Sequence, residues 1–168
     1  MAGVLRRRVL SCCSKLNVLE KLDHPVVYTD LTTNWNARWA WSAANLKSRY
    51  GDRLFSCGMD ITTDEPILML LREYFEMIET QQRHSQQTPL YLFDASFDED
   101  CPELTADYST PDIFLSQDLL LCLPKHLKPD HKWLLIGGEG SGSKLHTDPL
   151  ATSAWNALLV GRKEWVKP

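Results

Sequence analysis

The chain has 168 residues, 43% of them hydrophobic, and a formal net charge of -4 at pH 7. This length and apolar content suit one domain with a packed core, and the mildly acidic charge balance gives no indication of a nucleic-acid partner. The longest apolar runs, such as residues 66–71, are too short to cross a bilayer, so no membrane-spanning segment is predicted.

The cysteines indicate a reducing compartment. There are five Cys and none lies in a C-x-x-C pair, so the sequence predicts neither a zinc ribbon nor a disulfide framework. The basic triplet Arg6–Arg8 is interpreted as a solvated terminus, with a minimal localisation signal as the less favoured alternative.

The first half of the chain predicts helices joined to short strands. Apolar spacing over residues 4–22 is compatible with a helix, and we assign residues 1–24 to an N-terminal helical segment. The β-branched and aromatic residues at 25–28 predict a strand. A second helix is predicted over 42–50, with Ser42 as N-cap and Gly51 at its end, and a strand over 53–58.

The clearest amphipathic helix begins after residue 70. Its apolar residues follow the i, i+3, i+4, i+7 spacing of a buried helix face: Leu71, Tyr74, Phe75 and Ile78. We interpret this aromatic stripe as core packing rather than as a cofactor site.

The second half predicts mostly strands. Residues 89–94 form a bulky strand expected to be buried on both faces, and 133–137 form another. Between them we expect an acidic loop over 98–111, a short helix over 116–123 and an exposed loop over 125–131. Without βαβ spacing, this order favours antiparallel, mainly β structure with helices near the N-terminus.

A His-x-Asp pair follows a run of small residues. In a strand, residues i and i+2 point the same way, so His146 and Asp148 would project together. One imidazole and one carboxylate are two of the three ligands of a facial triad, the usual binding site of non-haem Fe(II). Taken alone, the pair is more simply interpreted as a solvated strand end beside Pro149.

Two residues behind this pair have the chemistry of a carboxylate-binding site. Lys163 offers a compact cation, and Asn156 can donate to a carboxylate and accept from a neighbour. A strand pair turning at Gly161 would bring both to one cavity. The simpler alternatives are a solvated lysine and a cross-strand amide.

Several stretches in order resemble the Jumonji C (JmjC) family of Fe(II)- and 2-oxoglutarate-dependent oxygenases. The nearest subgroup is that of the arginine-demethylase/lysyl-hydroxylase and F-box Jumonji proteins. The stretches that carry the resemblance are Pro89–Asp94, Trp133–Gly137, Ser141–Pro149, Thr152–Ala157 and Gly161–Trp165.

The resemblance implies a double-stranded β-helix, a cupin-like jelly roll, whose mouth holds iron. By this resemblance His146 and Asp148 are iron ligands. The residues implied to bind 2-oxoglutarate are Ser143, Asn156, Lys163 and, on a pocket-lining strand, Tyr91. The implied cofactors are Fe(II) and 2-oxoglutarate, with O2 as cosubstrate.

The implied activity is hydroxylation or demethylation of a lysine or arginine side chain in a protein substrate. The resemblance further implies a nuclear location, with the cytoplasm as the alternative, and F-box or chromatin-type partners. The charge balance and the short apolar runs add no direct nucleic-acid signal and no membrane segment.

The sequence departs from the family pattern at the third iron ligand. The family places a distal His well beyond the lysine, whereas no His follows His146 here, and those before it do not match: His24, His84, His126 and His131. We therefore expect residues 25–168 to be the N-terminal and central part of a JmjC domain with an incomplete barrel.

This departure leads to an expectation about activity and leaves two alternatives open. We expect a fragment, truncated isoform or incomplete gene model that does not turn over 2-oxoglutarate by itself and that associates through unpaired strand edges. The first alternative is a non-catalytic interaction module that retains part of the shell. The second is a cupin-type metal protein of another chemistry, such as a zinc hydrolase.

Overall fold

A computed structural model describes residues 3–4, 8–10, 25–60, 62–81, 89–116 and 118–167. The described strands are β1 (Gly3–Val4), β2 (Arg8–Leu10), β3 (Val26–Tyr28), β4 (Leu54–Met59), β5 (Pro66–Leu70), β6 (Tyr91–Asp94), β7 (Leu134–Gly137) and β8 (Val166–Lys167). The described helices are α1 (Ala37–Ala40), α2 (Ala43–Tyr50), α3 (Leu71–Gln81), α4 (Phe97–Asp100) and α5 (Asp112–Leu115). None of these helices is long and apolar enough to cross a membrane.

The described strands pair two by two, mostly antiparallel. β4 pairs with β5, β6 with β7, and β1 with β8 in antiparallel register, whereas β2 and β3 are parallel. The predicted antiparallel character of the strands is thus confirmed for three of the four pairs. Because β1 and β8 come from opposite ends of the chain, their pairing joins the two ends.

The predicted N-terminal helix lies mostly outside the described residues. Residues 8–10 within it form the strand β2, which pairs with β3. Val4 lies in the strand β1, so the helix prediction is wrong wherever the structure describes that segment. Residues 5–7 and 11–22 of the predicted helix, and the predicted polar loop at 82–88, lie outside the described residues.

The central elements form as the sequence predicts. Ser42 is the N-cap of α2, and its side-chain oxygen accepts a hydrogen bond from the Asn45 amide. Gly51 follows the last helical residue. Of the predicted apolar stripe on α3, Leu71, Tyr74 and Phe75 are buried, and α3 follows β5 directly.

The prediction of an acidic loop after β6 is wrong. Residues 97–100 form α4, and Pro102–Asp107 form a 3-10 helix. Three acidic residues occupy the first turn of α4, where the helix dipole favours them, and Pro102 stands at the start of the next helix, where its missing N–H costs nothing. Helices are therefore not confined to the N-terminal half.

The predicted helix over 116–123 is shorter than expected. Leu119–Cys122 form a single 3-10 turn capped by the Asp118 side chain, and Leu119 and Leu121 are exposed. A further 3-10 turn lies at Lys125–Leu127, within the predicted loop. With so little apolar surface buried, there is little tertiary packing to extend the turn into a helix.

The core lies between the helices α2 and α3 and the strands β4, β6 and β7. Its buried side chains are Leu46, Tyr50, Phe55, Cys57, Leu71, Tyr74, Phe75, Leu92, Phe97, Cys101, Leu104 and Leu134. Strand β6 is buried on one face only, since Leu92 and Asp94 are buried whereas Phe93 is exposed. The predicted burial of β6 on both faces is therefore wrong.

The Tyr74 hydroxyl connects α3 to both strands of the β6–β7 pair. Its oxygen accepts a hydrogen bond from the Leu92 amide at 3.1 Å and donates to the Ile136 carbonyl at 2.6 Å. The ring itself is fully buried. Buried backbone N–H and C=O groups need hydrogen-bond partners. This one hydroxyl therefore fixes the position of α3 relative to β6 and β7.

A second buried polar group, Asp94, connects β6 to β4. Its carboxylate accepts hydrogen bonds from the Ser56 amide at 2.8 Å and from the Ser96 amide at 3.0 Å. The carboxylate therefore links β4 to β6, although these two strands are not hydrogen-bonded neighbours in a sheet.

Two core groups make the fold sensitive to alkali. Burial raises the pKa of the Cys57 thiol to about 12 and that of the Tyr74 phenol to about 12. Both pKa values are higher than in an unfolded chain, so the unfolded chain loses these protons first as the pH rises. The contribution of the two groups to the free energy of unfolding is therefore fully present below about pH 9. It is lost as the pH rises from about 9 towards 12.

We therefore expect the free energy of unfolding to fall from pH 9 to 11, and to fall less in Cys57→Ala. Urea unfolding at several pH values, with reductant present, measures this slope. Cys122→Ala is the control, because Cys122 is exposed. Equal alkaline slopes in wild type and Cys57→Ala would contradict the assignment.

Candidate metal-binding site

The segment that carries the His-x-Asp pair is not a strand. Residues 141–148 lie outside the described strands, so the expected strand geometry of His146 and Asp148 is wrong. Gly140 and Gly142 have positive φ values of 79° and 156°, which glycine adopts more readily than other residues. The preceding glycines therefore turn the chain away from β7 instead of extending it.

The two side chains nevertheless meet. His146 Nε2 lies 3.2 Å from Asp148 Oδ1, and both side chains are about half exposed. His146 Nδ1 lies 2.6 Å from the Lys144 carbonyl oxygen. A carbonyl oxygen can only accept, so Nδ1 donates, and a neutral ring carries its lone pair on Nε2.

This arrangement fits a divalent cation. The lone pair of His146 Nε2 and the Asp148 carboxylate would repel each other unless a proton or a metal ion lies between them. Two ligands about 2.1 Å from one metal, at a right angle, are about 3.0 Å apart. A metal-binding His commonly donates its other N–H to a backbone carbonyl, as His146 does to Lys144.

The described residues bring no third ligand to this pair. They contain no group of three or more His, Cys, Asp or Glu side chains able to hold a metal. His126 and His131 are exposed, and His131 Nδ1 contacts the Pro129 carbonyl oxygen. His24 and His84 lie outside the described residues.

The predicted 2-oxoglutarate residues lie in the same C-terminal region but in different surroundings. Ser143 and Asn156 are exposed. Lys163 is half-buried, its Nζ lies 4.5 Å from the centre of the Trp165 ring, and burial lowers the pKa of its ammonium. The segment turns near Gly161, where φ is 86°, but residues 153–165 form no described strand.

Tyr91 lies beside the start of the glycine-rich segment. Its ring contacts the α-carbon region of Gly137, its partner across the β6–β7 ladder. The Ser141 side chain reaches the same place and donates to the Gly138 carbonyl at 2.7 Å. A β-carbon at position 137 would lie 2.9 Å from the Tyr91 ring and closer still to Ser141 Oγ, so a larger residue would force these side chains to move.

An aromatic cluster that the sequence reasoning missed anchors the segment after the pair. The Trp155 ring stacks on Phe114 with centroids 5.2 Å apart, and it meets Trp35 edge-on at 6.2 Å. Trp155 directly precedes Asn156, so this contact fixes the backbone next to a predicted site residue. No local pattern predicts it, because the rings are far apart in sequence.

The chain matches a known protein family over most of its length. A model of the cupin-like domain matches residues 17–166. This chain belongs to the cupin-like domain family. The mostly short, antiparallel strands of the structure are consistent with this family.

The relatives within this family confirm the Jumonji C resemblance. The chain is 38% identical over 141 residues to lysine-specific demethylase JMJ21 of Arabidopsis thaliana. It is 38% identical over 144 residues to the bifunctional arginine demethylase and lysyl-hydroxylase psr-1 of Caenorhabditis elegans. It is 25% identical over 150 residues to the 2-oxoglutarate and iron-dependent oxygenase JMJD4 of Danio rerio.

These matches cover most of the chain but a minor part of each relative. They include 84%, 84% and 80% of the chain, respectively. They cover only 14% of the Arabidopsis protein and 35% of each of the other two.

Proposed function

We propose that this cupin-like chain is part of an Fe(II)- and 2-oxoglutarate-dependent oxygenase. Its substrate would be a lysine or arginine side chain of a protein, which it hydroxylates or demethylates. The observation that carries the proposal is the pair His146 Nε2 and Asp148 Oδ1, placed 3.2 Å apart with the imidazole oriented by Lys144. The relatives named as demethylases, a lysyl-hydroxylase and a 2-oxoglutarate and iron-dependent oxygenase support the same chemistry.

The predicted site residues would have separate roles in binding the metal and 2-oxoglutarate. His146 and Asp148 would hold the iron, which when bound would supply the activation of O2 for attack on a C–H bond. Lys163 would bind a carboxylate of 2-oxoglutarate, and its partial burial would strengthen that ion pair. Asn156 and Ser143 would donate hydrogen bonds to the same molecule, and Tyr91 would line the pocket.

We further propose that the short strands belong to a jelly roll of the cupin type. The open face of β6 and residues 153–165, which form no described strand, are surfaces that further strands of such a barrel would cover. Nuclear location and F-box or chromatin-type partners belong to this proposal through the Jumonji C resemblance alone.

The interaction-module alternative has one observation in its favour. The part of the chain that the structure describes supplies two ligands and no third. A facial triad needs three protein ligands, so a chain with two would bind iron weakly.

The function is tested in the longest natural protein that contains this chain. With Fe(II), ascorbate, 2-oxoglutarate and O2, peptides containing lysine, arginine or methylarginine should yield succinate together with an oxidised or demethylated peptide. Mass spectrometry measures both products. Asp148→Ala should abolish them, because it removes one of the metal ligands.

Two outcomes would replace the proposal by an alternative. Iron binding without succinate on any of these peptides would favour the interaction module. A preference for Zn(II) together with hydrolysis of the substrate would favour the metal-hydrolase alternative. The control Asp130→Ala changes an exposed carboxylate outside the site and should leave succinate formation unchanged.

A further inference from the structure

The chain between Asp148 and Asn156 passes through a strained turn. Leu150 and Ala151 have φ values of 58° and 51°, in the left-handed region that residues other than glycine rarely adopt. The Ala151 amide donates to the Asp148 carbonyl at 3.0 Å, so the turn closes directly behind the candidate metal ligand. Leu150 is 78% exposed, so burial of its side chain does not hold this conformation. A strained backbone persists only where other contacts hold the flanking chain in place.

The contacts on the far side of the turn are made by Trp155. Its ring lies parallel to the ring of Phe114, with 3° between the two planes and 5.2 Å between the centroids, and Trp35 meets it edge-on. Trp155 is 39% exposed and is not part of the buried core, so these ring contacts hold it in place. Asn156 is the next residue, so the position of the Trp155 ring limits where the backbone of Asn156 can lie.

Phe114 belongs to this aromatic cluster but not to the core of the fold. It lies on α5, which buries none of its residues, and it also meets the Tyr28 ring edge-on at 6.2 Å. Trp35, by contrast, is buried and packs against Tyr108 as well. A change at Phe114 therefore removes the stack on Trp155 with less disturbance elsewhere than a change at Trp35.

We propose that Phe114 is a positioning residue for the binding of 2-oxoglutarate. By stacking on Trp155 it fixes the backbone of Asn156 relative to Asp148, across the strained turn that joins them. This inference rests on the proposed function, in which Asn156 donates to 2-oxoglutarate and Asp148 is a ligand of the metal. In this role Phe114 acts through Trp155 and does not itself touch the metal or the cosubstrate.

The first test separates binding of 2-oxoglutarate from the reaction. In the longest natural protein that contains this chain, Phe114→Leu should raise the KM for 2-oxoglutarate about two- to twelvefold, the range that corresponds to the loss of one aromatic pair. The kcat at saturating 2-oxoglutarate and the affinity for Fe(II) should not change, because every predicted ligand is still present. Phe114→Tyr keeps the stacked ring and should restore the wild-type KM. Initial rates of succinate formation and calorimetry measure these quantities.

Phe97→Leu is the matched control, because it makes the same change at a ring that is buried in the core. It should lower the free energy of unfolding at least as much as Phe114→Leu does, and leave the KM for 2-oxoglutarate unchanged. Urea unfolding shows that each variant remains folded.

The second test needs neither metal nor cosubstrate. NMR order parameters are measured in the chain for the Trp155 indole N–H and the Asn156 backbone N–H. We expect wild-type values near about 0.85, as in rigid backbone, and clearly lower values in Phe114→Leu but not in Phe97→Leu.

Unchanged order parameters in Phe114→Leu would overturn the proposal, whatever the kinetics. A lower kcat at saturating 2-oxoglutarate with an unchanged KM would also overturn it, because a general structural defect has that pattern. A wild-type protein that forms no succinate would contradict the proposed oxygenase. Lower order parameters in Phe114→Leu would still support the positioning of Asn156 in that case, so the two failures are distinguishable.

Discussion

His146→Ala is expected to lower the affinity of the chain for Fe(II), or for Co(II) as a stable probe, by at least about tenfold. Loss of residues that merely orient metal ligands already costs roughly 10- to 100-fold in affinity, and loss of a ligand should cost no less. The prediction follows from the placement of His146 Nε2, which is 3.2 Å from Asp148 Oδ1. Anaerobic titration, followed by Co(II) absorption and by calorimetry, measures the affinity.

The chain provides matched controls for this prediction. His126→Ala and His131→Ala each remove an exposed imidazole from elsewhere on the surface and should leave the affinity unchanged. Asp148→Ala should weaken binding to a similar extent as His146→Ala, and the double variant should add little. Equal affinities in wild type and His146→Ala would mean that the 3.2 Å contact is only an ion pair with a protonated imidazole.

In these variants the free energy of unfolding should change little, even though the affinity for metal falls. The His146 and Asp148 side chains are about half exposed, and ion pairs between exposed groups contribute only about 0–1 kcal/mol. Urea unfolding without metal should therefore give nearly the same free energy for His146→Ala as for wild type. A large loss of stability would assign His146 a structural role instead.

Tyr74→Phe is expected to destabilise the fold by about 2–4 kcal/mol. The change keeps the buried ring but removes the partner of the Leu92 amide and of the Ile136 carbonyl. A buried polar group left without a partner costs about 1–3 kcal/mol, and a domain of this size is stable by only about 5–15 kcal/mol. Urea unfolding should show a lower midpoint, and thermal unfolding a decrease of roughly 5–15 °C.

Tyr50→Phe is the matched control for this loss. Tyr50 is also buried in the core, but among the described residues its hydroxyl has no hydrogen-bond partner. Removing that hydroxyl should change stability by less than about 0.5 kcal/mol, or increase it. Equal losses in Tyr50→Phe and Tyr74→Phe would show that the hydroxyl of Tyr74 does not hold the β6–β7 pair on α3.

Local patterns predicted the elements whose stability depends on neighbours in sequence. The spacing of Leu71, Tyr74 and Phe75 predicted α3, and Ser42 with Gly51 marked the ends of α2. Capping and periodicity act within a few residues, so they can be recognised without the fold. The acidic segment after β6 was misjudged, because its charges stabilise a helix start instead of preventing a helix.

Such local patterns could not predict contacts between residues that are far apart in the sequence. Trp155 lies against Phe114 and Trp35, and Asp94 binds the Ser56 amide, across separations that no local rule covers. The open face of β6 was also missed, since alternating bulky residues do not show which face the core will cover. These contacts depend on how whole elements pack together.

The sequence by itself determined the residue types of the candidate site, because an imidazole and a carboxylate two positions apart are recognisable in any conformation. It also determined the family, since several motifs in a fixed order carry that information. Only the tertiary structure decided how His146 and Asp148 meet. They do so through the Lys144 carbonyl and not through strand geometry, because the chain turns at Gly140 and residues 141–148 form no strand.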